Sequence, residues 1–366
     1  MKETKKWNWT GSAVILMLLV FILAARCFFS FCQTDESFYA ALIHRFWTGD
    51  RMITDEWNTT QFYVPLLLPF YSIFMAIRKT TEGALLFLRL LYLLFSALTA
   101  FKLFRLIWKE TEDGFCALVP AAVILLFCRA NIYGVSYYNL CMLCCVSGFC
   151  SAADALGNYG KKQTIQLLWA GILFACAVLC DPFFAPFLIL LLIIAFFGTG
   201  KKRETALATA GIAGMAVLYC AFLFSGNSLG EILDGIKYVL DDPESSSVWD
   251  NLISAVRQMA SLSKFVAIPA AGMTVIALRD KHRGKASQLW VPYMLIQAAL
   301  LTCTAVRTIT NLCDAIVMPM TVVAFPFLFA FRDRQTRLTT GLYLIGLLNA
   351  AAYVMASNTG VDAGAV

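Results

Sequence analysis

The sequence predicts an all-α bundle of transmembrane helices. Of its 366 residues, 60% are hydrophobic and only 14% charged, the apolar residues gather in bilayer-length runs, and the basic clusters fall in alternate gaps between those runs. A mean hydropathy of +0.72 excludes an ordinary soluble domain. The net charge of +6 does not indicate nucleic acid, because the basic residues are dispersed and form no continuous stripe.

The first apolar run, 12–31, follows Lys2, Lys5 and Lys6 and has no small-residue cleavage site after it, so it reads as a retained signal anchor. Thr34-Asp35-Glu36-Ser37 comes next and opens an amphipathic segment. Its apolar pairs Phe38-Tyr39, Leu42-Ile43 and Phe46-Trp47 recur every four residues up to Gly49-Asp50, the pattern of a helix lying in the membrane interface. The run 62–77 is apolar but short, contains Pro65 and Pro69, and is followed by Arg78-Lys79. We read it as an interfacial or re-entrant helix on the outer side.

Ten further spans are expected at 82–108, 114–132, 139–156, 164–180, 182–198, 205–224, 259–278, 287–306, 311–330 and 338–357, giving about eleven in all. With 62–77 kept outside, one threading places every basic cluster inside. Those clusters are Lys2/Lys5/Lys6, Lys102/Arg105/Lys109, Lys161-Lys162, Lys201-Lys202-Arg203, Arg279/Lys281/Arg283/Lys285 and Arg332/Arg334/Arg337, together 18 of the 29 Lys and Arg. The N-terminus is then cytoplasmic, and 1–366 is one transmembrane domain with outer loops at 33–81 and 225–258. Residues 357–366 are small and polar, and no soluble C-terminal domain is expected after the last span.

Thirteen cysteines and two histidines lie mostly within or beside apolar runs. Cys141, Cys144, Cys145 and Cys150 include a CxxC spacing but sit inside 140–153, where helix packing outweighs zinc or redox chemistry, so no metal site is expected. No Gly-rich phosphate loop occurs and the inner loops are too short for a nucleotide-binding domain, which argues against an ATP-driven pump. Matching broken helices in the two halves are also missing, which weakens an inverted-repeat transporter.

The charged residues assigned to the outer side are Asp35, Glu36, Asp55, Glu56 and Asp181, with Arg78, Lys79, Arg89, Arg129, Lys264 and Arg307 as cations. Carboxylates beside cations in a partly desolvated site suit a reaction that needs a base and a hold on a phosphate leaving group. For Arg89 and Arg129, snorkelling to anionic headgroups explains the same placement. Arg307 lies where a lipid phosphate is within reach. Asp181, in Leu179-Cys180-Asp181-Pro182, reads equally as a site acid and as the cap of the following helix.

The stretch from Thr34-Asp35-Glu36 through Tyr39 and Gly49-Asp50, then Val64-Pro65-Leu66 and Leu88-Arg89-Leu90-Leu91, resembles the GT-C glycosyltransferases over residues 10–200. The nearest branches are the protein O-mannosyltransferases and the lipid A aminoarabinose transferases. The resemblance implies an inverting transfer of a sugar from a polyprenyl-phosphate carrier to an extracytoplasmic glycan, lipid or protein acceptor. The lipid-linked sugar phosphate would be the donor, with no further cofactor.

On that resemblance Asp35 matches the catalytic acid and Glu36 its supporting partner. Both residues also suit plain helix-N-terminal capping. The chain departs from the family pattern at Tyr138-Asn139-Leu140, where an Asp is expected, and at Asp181, where a Lys is expected. The other readings are a transporter or flippase-like protein and a GT-C-like scaffold without catalysis. The expected location is the plasma membrane.

Overall fold

The computed structural model describes residues 8–29, 35–128, 132–198, 201–240, 250, 253 and 334–356, and divides the chain into two compact units, Met1–Asp242 and Pro243–Val366. The described residues are overwhelmingly helical and contain no strand. The expected spans 259–278, 287–306 and 311–330 lie outside them.

In the first unit, α1 (Trp9–Arg26) begins where the Asn8 side chain accepts the Gly11 N–H at 2.8 Å. Helix α2 (Asp35–Thr48) starts directly on the two acids, a placement the helix dipole favours. Pro65 sits in the first turn of α3 (Val64–Arg78), where its missing N–H costs nothing, while Pro69 lies inside the helix. Left-handed Lys79 ends α3, and Gly83 at φ 84° turns the chain into α4 (Ala84–Thr111).

Asp113 caps α5 (Gly114–Leu126) through the N–H groups of Phe115 and Cys116. This helix is shorter than the expected 114–132 because Phe127 leaves the helical conformation, and its carbonyl accepts the Tyr92 hydroxyl at 2.6 Å. After α6 (Tyr137–Ala155) and α7 (Gly160–Cys180), the expected span 182–198 is broken into a 3₁₀ turn, α8 (Ala185–Ile193) and a π turn. Helices α9 (Lys202–Gly226) and α10 (Leu229–Leu240) complete the first unit. In the second unit α11 (Arg334–Ala356) covers most of the expected 338–357.

Six helical segments among the described residues are long and apolar enough to cross a membrane: α1, Thr59–Arg78, α4, α6, α7 and α9. Neighbours in the first unit follow the order α5, α4, α6, α7, α9, with α1 against α5 and α4, and α2 against α3 and α4. Helix α1 runs opposite to α4, while α4 and α6 run the same way, Thr99 beside Ser147 and Lys109 beside Asp154, so the helix ends form two groups.

At one end Trp9 meets Phe104 (ring centroids 6.2 Å apart) and Lys109 pairs with Asp154 at 3.0 Å, joining the start of α1 to the ends of α4 and α6. At the other end Arg89 of α4 donates to the carbonyl of Cys27 just past α1. The chain therefore enters and leaves 28–83 at the same end of the bundle, although Thr59–Arg78 alone has the length and apolarity of a span.

Helices α7 and α9 meet backbone to backbone. A Cβ on Gly171 would lie 1.9 Å from the Ala208 carbonyl oxygen, and one on Gly211 would lie 2.2 Å from that of Leu168. Two facing glycines are what such an approach requires, since no side chain fits between the helices there.

Candidate functional site

Asp35 and Glu36 are adjacent in sequence but occupy opposite environments. Glu36 is buried, and both of its carboxylate oxygens accept from the Arg89 guanidinium, Oε1 from Nε and Oε2 from Nη2 at 2.7 Å. Arg89 also donates from Nη1 to the carbonyls of Cys27 (2.9 Å) and Phe29 (3.3 Å). One planar fork thus ties the end of α1, the start of α2 and the second turn of α4 together. Asp35, at the first position of α2, is exposed, and its carboxylate has no hydrogen-bond or ion-pair partner among the described residues.

A short loop covers the Glu36–Arg89 pair. A Cβ on Gly134 would meet Glu36 Oε1 at 3.7 Å and Arg89 Cγ at 3.9 Å. Asn139, fully buried in the first turn of α6, holds that loop by donating its side-chain amide to the carbonyls of Ile132 and Gly134, both at 2.9 Å. Two carbonyls facing one side chain demand a donor. An amide supplies it and a carboxylate does not, which accounts physically for Asn rather than Asp at this position.

Beside Asp35 lies a layer of tyrosines. The Tyr39 ring is 6.2 Å from Tyr63 and 6.3 Å from Tyr137, which meets Tyr138 edge to face at 4.9 Å. Burial pushes the Tyr39 phenol far above its ordinary range, and Tyr138, Tyr137, Tyr63 and the Asp35 charge add to the effect. Tyr39 is therefore a neutral hydroxyl at any ordinary pH.

Asp181 is 1% exposed at the end of α7, where its Oδ1 accepts the Phe183 N–H at 3.0 Å and caps the following 3₁₀ turn. Burial raises its carboxyl to about 6, partly offset by that hydrogen bond. Arg78 and Lys79 are exposed at the α3–α4 turn, away from the Glu36–Arg89 pair in contact terms. Arg129 and Arg307 lie outside the described residues.

A second charged network curls over the end of α2. Arg45 donates to Asp50 and Glu56 (2.6 Å each) and to the Asp55 carbonyl at 2.9 Å. Gln61, fully buried, pins the same loop by accepting the Ile53 N–H at 2.7 Å and donating to the carbonyls of Glu56 and Asn58. Sequence reasoning named Asp55 and Glu56 but missed Gln61 and the tyrosine layer. The tyrosines that meet are far apart in the chain, the Gln61 bonds are made to a loop without regular structure, and a Gln or Tyr beside an apolar run carries no distinguishing pattern.

No group of three or more His, Cys, Asp or Glu side chains suited to a metal ion occurs among the described residues. The site can offer one free carboxylate, neutral phenols and a shielded ion pair. The chain matches no family model, and neither the curated proteins nor the solved structures give a match.

Proposed function

We propose that this chain is an integral-membrane glycosyltransferase of GT-C type that moves a sugar from a polyprenyl phosphate to an extracytoplasmic acceptor. The observation that carries the reading is the unequal treatment of the acidic pair. Glu36 is buried and paired with Arg89, while Asp35 is exposed at the same end of the bundle. Lys102, Arg105, Lys109, Lys161, Lys162, Lys201, Lys202 and Arg203 lie toward the opposite end, which supports a cytoplasmic location for that end and an extracytoplasmic one for Asp35. The return of 28–83 to the end from which it started supports an outer, non-crossing role for α3.

In this mechanism Asp35 accepts the proton of the acceptor hydroxyl as its oxygen attacks the anomeric carbon. The bond from that carbon to the phosphate oxygen breaks, and the polyprenyl phosphate leaves with the electron pair. Attack opposite to the leaving group inverts the configuration. Arg89 is engaged by Glu36, so its role is to position the loop bearing Asp35, and the phosphate is assigned to Arg78 and Lys79, which are among the exposed described cations.

The test is to supply labelled polyprenyl-phosphate sugars to membranes containing the wild type or Asp35→Asn. Donor loss in the wild type and none in the variant is expected, and equal consumption by both sinks the assignment. A second reading, a GT-C-like scaffold without catalysis, is favoured by the commitment of Arg89 to Glu36. It predicts no donor loss with either protein.

A further inference from the structure

Helix α10 has three faces rather than two. Gly235 points at the first outer loop, and Ile232 and Val239 are buried on the same side of the helix. The approach is so close that a Cβ on Gly235 would lie 2.6 Å from the Ile53 carbonyl oxygen, and Ile53 itself is left-handed at φ 68°. Glu231, Asp234 and Lys237 form a water face, with Lys237 and Asp234 paired at 2.9 Å. Leu229, Leu233 and Ile236 occupy a third face and are 59%, 54% and 37% exposed. Helical spacing puts these three on a single stripe, between the packed face and the water face.

The stripe follows closely in the chain on apolar residues exposed on α9. Val217, Leu218, Phe222 and Phe224 stand out from the last turns of that helix, and only Asn227 and Ser228 separate it from α10. Asn227 Oδ1 accepts the Thr54 hydroxyl at 2.5 Å, which fixes the bend. Glu231 accepts the Ser228 N–H and hydroxyl (2.8 Å each) and the Arg51 guanidinium at 3.0 Å. These contacts hold the Glu231 carboxyl down at about 2, Ser228 first and Arg51 after it.

We propose that α10 lies in the membrane–water interface at this end of the bundle, with Leu229, Leu233 and Ile236 seated among the lipids, and that this seat sets the height of loop 50–58 above the bilayer. The occupant of the apolar stripe is lipid because the stripe begins two residues after α9, a helix of membrane-spanning length and composition whose last turns also expose apolar side chains. The water face carries two acids and one lysine, so apolar burial rather than attraction to anionic headgroups holds the helix. Zwitterionic lipid is therefore sufficient. Trp57, stacked on Tyr238 at 5.2 Å and 56% exposed, is the aromatic marker of the same level. The inference is independent of any glycosyl transfer.

The test places 4-benzoylphenylalanine, by amber suppression, at Leu233, Ile236 or Asp234 of the full chain in phosphatidylcholine nanodiscs and reads the photoadducts by mass spectrometry. Lipid adducts at 233 and 236 but not at 234 are expected. Adducts to another segment of this chain or to a second copy, or equal absence of lipid at all three positions, overturn the proposal. Hydrogen exchange of Met52–Trp57 gives a second readout. It should speed up several-fold in the double variant Leu233→Gln/Ile236→Gln, and an unchanged rate refutes the supporting role.

Discussion

Each end of the first unit joins its helices through an ion pair, and the two pairs differ mainly in their access to water. Glu36 and Arg89 have side chains 7% and 12% exposed, with both oxygens of the acid held by one guanidinium and a loop laid over them. Lys109 and Asp154 are 49% and 26% exposed and make one bond, and the second Asp154 oxygen accepts from Gln166. The same formal interaction therefore has different consequences. Removing a partner from the first strands a charge in a site with little access to water, whereas removing Lys109 from the second leaves an acid that is partly open to water and still held by Gln166.

The largest effect that would break or confirm this contrast is Arg89→Ala. It should cost about 3–5 kcal/mol, the usual penalty for an orphaned buried charge, and appear as a large drop in thermal midpoint or as failure to fold. A midpoint within a degree or two of wild type would show that the pair is solvated after all. Asn139→Asp attacks the cover over the same pair by aiming a carboxylate at two carbonyls, and should cost about 3 kcal/mol. Faster hydrogen exchange at 132–136 would locate the damage.

Asp181 sharpens the comparison within one end, because it is buried like Glu36 but is held by a backbone N–H rather than a cation. Its folded carboxyl titrates near 6, above its ordinary value, so between about pH 4 and 6 the folded state binds more protons than the unfolded one. Stability then falls as pH rises through that window and levels off above it. Asp181→Asn should abolish that slope and raise stability at pH 7 by up to about 2 kcal/mol, readable from thermal midpoints at pH 4, 5, 6 and 7. The smallest effect is expected for Lys109→Ala, about 0–1 kcal/mol and diminishing with salt.

Long apolar runs and alternating basic clusters made α1, α4, α6, α7 and α9 legible in the sequence, and the recurring apolar pairs marked α2. Composition is read along one strand of chain, so these local signals survive without knowledge of partners. The breaks at Phe127 and within 182–198 were not legible, since apolar character continues through both while the backbone departs from the α-helix. Asp35 and Glu36 were visible as a pair, but their separation into a free and a bound acid depends on Arg89, 53 positions further on. Asn139 looked like a lost carboxylate until its two carbonyl partners gave the amide its own purpose. The contact of α10 with loop 50–58 was not legible, because it is made by Gly235 against Ile53, far apart in the chain and without a side chain on one partner.

The crossing of Gly171 and Gly211 has a consequence for how this chain can vary. Along most of α9 one apolar side chain replaces another with little cost, because few of its residues are buried in the unit. At Gly211 and at the facing Gly171 even a single methyl group has nowhere to go without driving the two backbones apart. Substitutions can therefore accumulate over nearly the whole length of α9 while these two sites stay fixed, and the helix is anchored in sequence at the very place where it has no side chain.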